Sequence, residues 1–141
     1  MNRTAPAGAP TSKQQLEQRS LFRWQLRRFL RFSEDAARAE GITVLHYQLL
    51  LHTQGQAGRD WASIGELAER LQARPHGVVT LVTRCEQAGL VERRDNPDDG
   101  RLVEVHLTPK GRRILLRVAS RNGEELAALR AVINAMEDGA G

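Results

Sequence analysis

Apolar side chains near the middle of the chain recur at helical spacing directly behind a helix-start signal. Ser63 and Glu66 have the spacing of a capping box, in which each side chain bonds the backbone N–H of the other residue. Four apolar residues then share one helical face: Ile64, Leu67, Ala68 and Leu71. This pattern predicts a two-turn helix over residues 64–71, and Trp61 and Ala62 before it are expected to form a short strand.

A second helix is predicted between Pro75 and Gly89. Proline fits the first helical turn, where its missing N–H removes no bond, and glycine fits the position just past a helix end. The inward positions are Val78, Val82 and Cys85. The outward positions carry small and polar groups: His76, Gly77, Thr80, Thr83, Arg84 and Gln87. Because such a face lets a helix approach the base edges of DNA, we interpret it as a recognition helix.

Two strands with a turn between them follow this helix. Residues 91–95 and 102–107 flank the sequence NPDDG, which is a turn signal. In the second strand three apolar residues alternate as a half-buried strand requires: Val103, Val105 and Leu107. Two short helices and a hairpin make a winged helix-turn-helix, which we assign to a lobe of residues 43–107.

Longer helical regions are predicted on both sides of this lobe. A helix over residues 13–40 begins with a capping box at Ser12 and ends at Gly41. Further apolar helical stretches occupy residues 109–137, behind a Thr108 cap. The predicted fold class is therefore mainly α, or α+β, with long N- and C-terminal helices around a winged helix-turn-helix.

Composition limits the number of domains and the origin of any attraction to DNA. With 141 residues and 40% hydrophobic content, we expect one core, formed by a single domain of residues 13–141 behind a disordered arm of residues 1–12. The sequence pI is about 10.2, and 19 of the 21 basic residues are arginine. Residues 63–113 nevertheless hold nine Lys or Arg against eight Asp or Glu. Attraction of this region to DNA must therefore come from the placement of its charges.

Several classes of function are disfavoured by the residues that are absent. A single cysteine permits no intrachain disulfide, and there is no CxxC spacing for structural zinc. The four histidines have no carboxylate or cysteine partners at nucleophile or metal spacings, so we expect neither an enzyme nor a metal site. No run approaches the roughly 18 apolar residues of a membrane span, and the N-terminus lacks the apolar segment of a signal peptide. We therefore expect a cytoplasmic protein without membrane contact.

Four segments together resemble the MarR family of bacterial transcription regulators: ELAERL, GLVERR, DNPDDGR and LTPKG. The resemblance covers roughly residues 16–137. It implies a homodimer held together by residues 13–40 and 109–137, with a winged helix from each chain on a palindromic DNA operator and no cofactor. It also implies a repressor released by a small aromatic or phenolic anion. Independently, the apolar faces of the long helices exceed what the lobe alone can cover, which favours a partner chain.

Three positions depart from the pattern of the family. His46 stands where the family usually has glutamine, and Cys85 replaces the usual leucine. Gly77 occupies a recognition-helix position that is normally polar, which removes a DNA contact and lowers helix propensity by about 1 kcal/mol relative to alanine. Cys85 suggests a redox sensor, but its inward position favours the alternative of an unreactive apolar side chain.

Six residues are candidates for DNA contact: His76, Gly77, Thr80 and Arg84 on the recognition helix, with Asp99 and Arg101 at the wing tip. Arg101 is expected to enter the minor groove, oriented by Asp99, and the alternative is an ion pair on the hairpin surface. Thr80 and Arg84 are expected to contact bases or phosphates, and the alternative is a solvated face.

A second class of function stays open, namely a winged-helix adaptor that binds proteins and has lost specific DNA binding. Gly77 slightly favours the adaptor, and Arg84, Asp99 and Arg101 oppose it.

The first long helix also supplies a candidate ligand site. Arginines recur there every four residues, at Arg19, Arg23, Arg27 and Arg31. Arg23 or Arg27 would provide the counter-charge for an aromatic anion, Trp24 a stacking surface, and His46 a further contact. The alternatives are a solvated face, a neighbour of DNA phosphates and, least favoured, a helix lying on a membrane surface.

Overall fold

The computed structural model describes residues 10–139. Within that range nine elements follow in the order α1 (Lys13–Ala39), α2 (Val44–Gln54), β1 (Trp61–Ser63), α3 (Ile64–Leu71), α4 (Pro75–Gln87), β2 (Val91–Asp95), β3 (Val103–Leu107), α5 (Pro109–Arg121) and α6 (Gly123–Asp138). This order confirms the mainly helical fold with a winged helix-turn-helix. Most of the predicted arm of residues 1–12 lies outside the described residues.

The chain divides into two compact units. One, the terminal unit, contains the described residues 10–31 and 124–139. The other, the winged-helix unit, contains residues 32–123. The boundary therefore falls inside α1, and the winged-helix unit extends on both sides of the predicted lobe of residues 43–107.

Local signals set the helix ends as predicted. At the start of α3, Ser63 Oγ accepts from the Glu66 backbone N at 3.2 Å, and Glu66 Oε1 accepts from the Ser63 backbone N at 3.0 Å. Ser12 and Gln15 make the same reciprocal pair before α1, at 3.1 and 2.9 Å. After α1 the chain turns at Gly41, whose φ of +79° lies in the left-handed region that glycine adopts without strain. These ends depend on neighbours in sequence, which is why the sequence predicts them.

The core of the winged-helix unit is formed by α2 to α5 together with the sheet. Its largest fully buried side chains are Leu49, Leu50, Leu67, Leu90, Val78, Val82, Val105, Val118, Thr53 and Cys85. Full burial of an aliphatic side chain of this size stabilises a fold by about 1.5–3 kcal/mol. The buried members of α4 face this core, so the opposite face of that helix is free of it.

The three strands form an antiparallel sheet in the order β1-β3-β2, with β3 in the centre. Val105 and Leu107 are buried as their alternation predicts, but Val103 is partly exposed. Glu104, on the side that the alternation assigns to solvent, is only 8% exposed. The alternation of apolar and polar residues therefore does not predict every buried position of β3. Glu104 is also buried, and it has hydrogen-bonding partners of its own.

The terminal unit brings α1 and α6 together. Gln25, which is buried, donates from Nε2 to Glu125 Oε2 at 3.3 Å. Phe22, Ile133 and Met136 line an apolar hollow on this unit. In residues 10–139 no helix is sufficiently long and apolar to cross a membrane.

Candidate nucleic-acid interface

The outer face of α4 is uncovered along its length. Val78, Val82 and Cys85 are buried on the inner side, as predicted. The exposed positions include all the predicted outward ones: His76, Gly77, Thr80, Thr83, Arg84 and Gln87. Apart from the backbone of α4 itself and the two neighbouring residues, no heavy atom lies within 4 Å of the place where a side chain would start at Gly77. The helix therefore presents a low surface at its first turn and longer side chains further along.

Arg93 of β2 holds α4 from the side of the wing. Its Nη2 donates to the Val79 backbone oxygen at 3.2 Å and to Thr83 Oγ1 at 3.0 Å, and its guanidinium pairs with Glu86. Arg93 could not be identified from the sequence, because its partners lie in another element and no spacing along the chain connects them. Arg93 fixes the position of α4 relative to the first strand of the hairpin.

The wing turn is organised by two side chains that bond to the backbone. Asn96 Oδ1 accepts from the backbone N of Asp98 and of Asp99, each at 2.9 Å. Asp99 Oδ1 accepts from the Arg101 backbone N at 3.0 Å and from Arg101 Nε at 3.4 Å. The Arg101 side chain is 94% exposed. The turn thus holds a nearly free guanidinium at the wing tip through the contact with Asp99 that the sequence suggested, while a role in DNA binding stays a prediction.

A second polar cluster lies at the base of the wing. Glu104 Oε2 accepts from Asn96 Nδ2 at 2.7 Å, and Glu104 Oε1 lies 2.8 Å from His106 Nε2. The His106 ring stacks on Trp61 with 6.3 Å between ring centroids, and the Arg59 guanidinium lies 4.1 Å from the Trp61 ring centroid. The sequence analysis considered partners of the histidines only at nucleophile and metal spacings, so it did not identify this pair. Residues two apart in a strand share one face, which brings Glu104 to His106.

This carboxylate and imidazole do not belong to a larger acidic or metal-ligating group. Among residues 10–139 no three His, Cys, Asp or Glu side chains are placed to hold a metal ion together. Glu104 and His106 are instead held by Asn96 and Trp61, which are neither nucleophiles nor metal ligands. The cluster is suited to holding the hairpin in shape.

Arg84 influences the environment of His46 at the start of α2. Burial lowers the pKa of His46, and the positive charge of Arg84 lowers it further. The Thr43 hydroxyl caps α2 by accepting from the His46 backbone N at 3.1 Å, so the exchange of glutamine for histidine leaves the cap intact. The imidazole of His46 is therefore favoured in its neutral form, beside a recognition-helix arginine whose charge reaches it.

The region that carries this geometry matches a known family. The sequence model of the MarR family matches residues 40–102, which run from the turn between α1 and α2 to the end of the wing turn. Residues 40–102 are therefore similar to the MarR family. A curated relative, the uncharacterized HTH-type transcriptional regulator YsmB of Bacillus subtilis, is 36% identical over 64 residues. That alignment covers 45% of this chain and 44% of YsmB, so the chain spans less than half the length of this relative.

Two solved structures extend the likeness to the whole fold. CouR from Rhodococcus jostii RHA1, bound to p-coumaroyl-CoA, has a TM-score of 0.65 at 26% identity, over 79% of this chain and 80% of CouR. A cysteine-to-serine variant of MarR from E. coli, complexed with operator DNA, has a TM-score of 0.62 at 20% identity, over 91% of this chain and 99% of that chain. The second likeness shows the fold alone.

The predicted ligand residues fall into both compact units. Arg23, Trp24 and Arg27 are exposed residues of the terminal unit, whereas His46 belongs to the winged-helix unit. Arg28, which was not among the predicted ligand residues, places its guanidinium 5.1 Å from the Trp24 ring centroid. One face of the indole therefore already carries a cation, and the ligand site stays a prediction.

The thiol of Cys85 should be unreactive in the folded protein. Cys85 is fully buried, and burial raises the pKa of its thiol to about 11. The thiolate is the reactive form, and at pH 8 only about one thiol in a thousand would be ionised. The side chain also lies on the buried side of α4, where a reagent cannot reach it. We expect iodoacetamide at pH 8 to leave Cys85 unmodified in the native protein and to label it fully in urea. Rapid labelling of the native protein, followed by mass spectrometry, would revive the redox-sensor hypothesis.

Proposed function

We propose that this protein is a DNA-binding transcription regulator. The observation that carries the proposal is the exposed face of α4 beside a wing tip whose Arg101 side chain is 94% exposed, within a region that matches the MarR family. The major groove of DNA admits an α-helix, and its base edges distinguish all four base pairs. The minor groove is narrower, and its width and negative potential attract an inserted arginine.

The two arginines are assigned different roles in this proposal. Arg84 extends from the exposed side of α4, where its planar guanidinium can bond O6 and N7 of one guanine. Arg101 at the wing tip enters the adjacent minor groove, with Asp99 holding its Nε. His76 and Thr80 contact bases or phosphates beside Arg84, and Gly77 allows the first turn of the helix to approach the DNA closely.

Selection from a randomised duplex library with the purified full-length chain tests this function. We expect enrichment of a duplex with two inverted half-sites about one helical turn apart. It should bind on the order of a thousandfold more tightly than a scrambled duplex of equal length. The Arg84→Ala/Arg101→Ala double variant serves as control and should select no such sequence. If the selected duplexes bind no more tightly than the scrambled one, the result would instead favour a protein-binding adaptor.

A homodimer is the second part of the proposal. In the terminal unit large apolar side chains remain exposed, with Leu16 at 53%, Leu21 at 46% and Leu126 at 46%. A second copy that covered them would remove this apolar surface from water, and inverted half-sites require two copies.

Sedimentation equilibrium at micromolar concentration should give twice the chain mass of 15.8 kDa. Ile133→Glu, at an apolar position of the terminal unit, should shift the equilibrium to monomer, because it would place a charge in the contact. Leu45→Glu, at an exposed apolar position of the winged-helix unit, is the control and should leave the mass unchanged. A monomer mass for the unmodified chain would refute this part of the proposal.

Release of DNA by a small aromatic or phenolic anion is the third part. It is supported by CouR, whose solved structure contains p-coumaroyl-CoA. Arg23 or Arg27 of the terminal unit would supply the counter-charge and Trp24 the stacking surface. An effector of this kind must bind the free protein more tightly than the DNA-bound one.

Thermal-shift screening of phenolic acids and their coenzyme A thioesters tests this effector. We expect stabilisation that is lost in Trp24→Ala and in at least one of Arg23→Ala and Arg27→Ala. It should be retained in the control Arg38→Ala, whose arginine pairs with Glu34 at 3.1 Å. Stabilisation that all these variants retain would exclude the proposed site.

A further inference from the structure

A continuous series of hydrogen bonds connects the central strand of the sheet to the exposed arginine at the wing tip. We propose that Asn96 and Glu104 are positioning residues for the DNA contact of Arg101, and this inference rests on the proposed DNA-binding function. Neither residue is itself assigned a contact with DNA. Their effect on DNA binding passes through the shape of the wing turn.

The series begins at a fixed point in β3. Glu104 is 8% exposed, and its backbone lies in the central strand between β1 and β2. One carboxylate oxygen is held by His106 Nε2 at 2.8 Å, and that ring is held in turn against Trp61. The other oxygen, Oε2, therefore has a fixed position from which it accepts the Asn96 amide at 2.7 Å.

Asn96 transmits this position to the turn because both ends of its amide are used. The Nδ2 group donates to Glu104, while Oδ1 accepts from the backbone N of Asp98 and of Asp99, at 2.9 Å each. The backbone of Asn96 is also bonded, from its N to the Leu102 oxygen at 3.0 Å. A rotation of the Asn96 side chain would therefore break bonds on both sides of it.

Asp99 completes the series, since the backbone that Asn96 fixes carries the carboxylate that accepts from Arg101. A free arginine side chain samples many rotamers, and ordering them on binding opposes association. A turn that fixes Asp99 limits the directions in which Arg101 can emerge before DNA arrives. Loss of the hydrogen bond from Asn96 to Glu104 would not alter the residues that contact DNA. It would allow the wing turn that orients Arg101 to change its conformation.

The donor and the acceptor of the hydrogen bond between Asn96 and Glu104 can be exchanged by substitutions that barely change the size of either side chain, which gives a sharp test. Asn96→Asp replaces the donor with a carboxylate that faces Glu104, so the two like charges repel. Oδ1 keeps its two backbone donors in this variant. Adding Glu104→Gln restores a donor to the pair, because the new amide at position 104 donates to the new carboxylate at position 96 and its oxygen still accepts from His106. This exchanged pair has the same net charge as the original chain.

Each variant is measured with and without Arg101→Ala, by titration of the duplex enriched by the wild-type chain and of its scrambled counterpart. We expect Asn96→Asp to weaken binding of the enriched duplex about tenfold and to reduce the slope of log K against log salt by nearly one. In the Arg101→Ala background the same change should weaken binding by less than about twofold. The exchanged pair should return to within about threefold of wild type. Asn134→Asp, an exposed asparagine of the terminal unit, controls for the added charge.

The outcomes separate this inference from the function on which it rests. If Asn96→Asp weakens binding equally in both backgrounds, or the exchanged pair does not recover, the residues do not act through Arg101 and only the positioning inference fails. If the wild-type chain binds the enriched and scrambled duplexes equally, the proposed function fails and the positioning role fails with it. Thermal unfolding of each variant within a few degrees of wild type establishes that the fold is retained.

Discussion

Replacing Gly111 with alanine should strongly destabilise the winged-helix unit. Gly111 is buried in the first turn of α5, and an added Cβ would overlap the Leu90 backbone oxygen and lie 3.0 Å from the Leu90 carbonyl carbon. The Leu90 oxygen cannot move aside freely, because it accepts from the Thr108 backbone N at 3.0 Å. The atoms that an added Cβ would meet belong to the backbone of Leu90, so no change of side-chain rotamer relieves the overlap.

The expected loss is about 4 kcal/mol or more, which is a large part of the 5–15 kcal/mol that stabilises a typical domain. Urea unfolding followed by circular dichroism measures it. Gly65→Ala in α3 is the matched control, because no heavy atom lies within 4 Å of its added Cβ. Alanine there should leave the free energy of unfolding unchanged or raise it by up to about 1 kcal/mol. A Gly111→Ala protein as stable as wild type would show that α5 does not pack as closely on Leu90 as described.

Arg84→Ala and Arg101→Ala should weaken DNA binding in two distinguishable ways. Loss of Arg84 should cost about 1–3 kcal/mol on the selected duplex and relax the preference at one base pair of each half-site, since a bidentate contact to guanine would be lost. Loss of Arg101 should weaken binding across all operator variants and reduce the salt slope by about 0.9, because the wing reads groove width and potential more than base identity.

Both variants are measured on a library of half-site substitutions at two salt concentrations. Arg38→Ala removes an arginine that pairs with Glu34 and serves as the charge control, with little change expected. An Arg101→Ala protein with wild-type affinity would leave the wing without a role in DNA binding. An Arg84→Ala protein that loses affinity but keeps its full base preference would reassign Arg84 to a phosphate.

The features that the sequence predicts correctly are those that depend on near neighbours. The reciprocal bonds of Ser63 and Glu66 join residues three apart, and the helix α4 that begins at Pro75 depends on the backbone of the proline itself. The contact of Asp99 with Arg101 is also local, which is why a short motif could reveal it. Periodicity likewise identified the inner face of α4, because one buried side chain per turn is enough to define it.

The features that the sequence missed depend on packing between elements. Arg93 reaches Val79 and Thr83 only because β2 lies against α4. Glu104 interrupts the expected alternation because the bonds to Asn96 and His106 offset the free-energy cost of burying a carboxylate. A pattern of apolar and polar positions treats every charged residue as exposed, so it cannot identify a buried carboxylate that stabilises a turn.

Ser63 belongs to two elements at once, and this limits how the protein can be redesigned. As the last residue of β1 it pairs with Glu104 of β3, and as the N-cap of α3 it begins the helix-turn-helix. A chimera that grafts a foreign hairpin onto these helices would separate Ser63 from the strand that places it. Residues 61–107 should therefore be exchanged between homologues as one block, and new operator preferences introduced only through the outward side chains of α4.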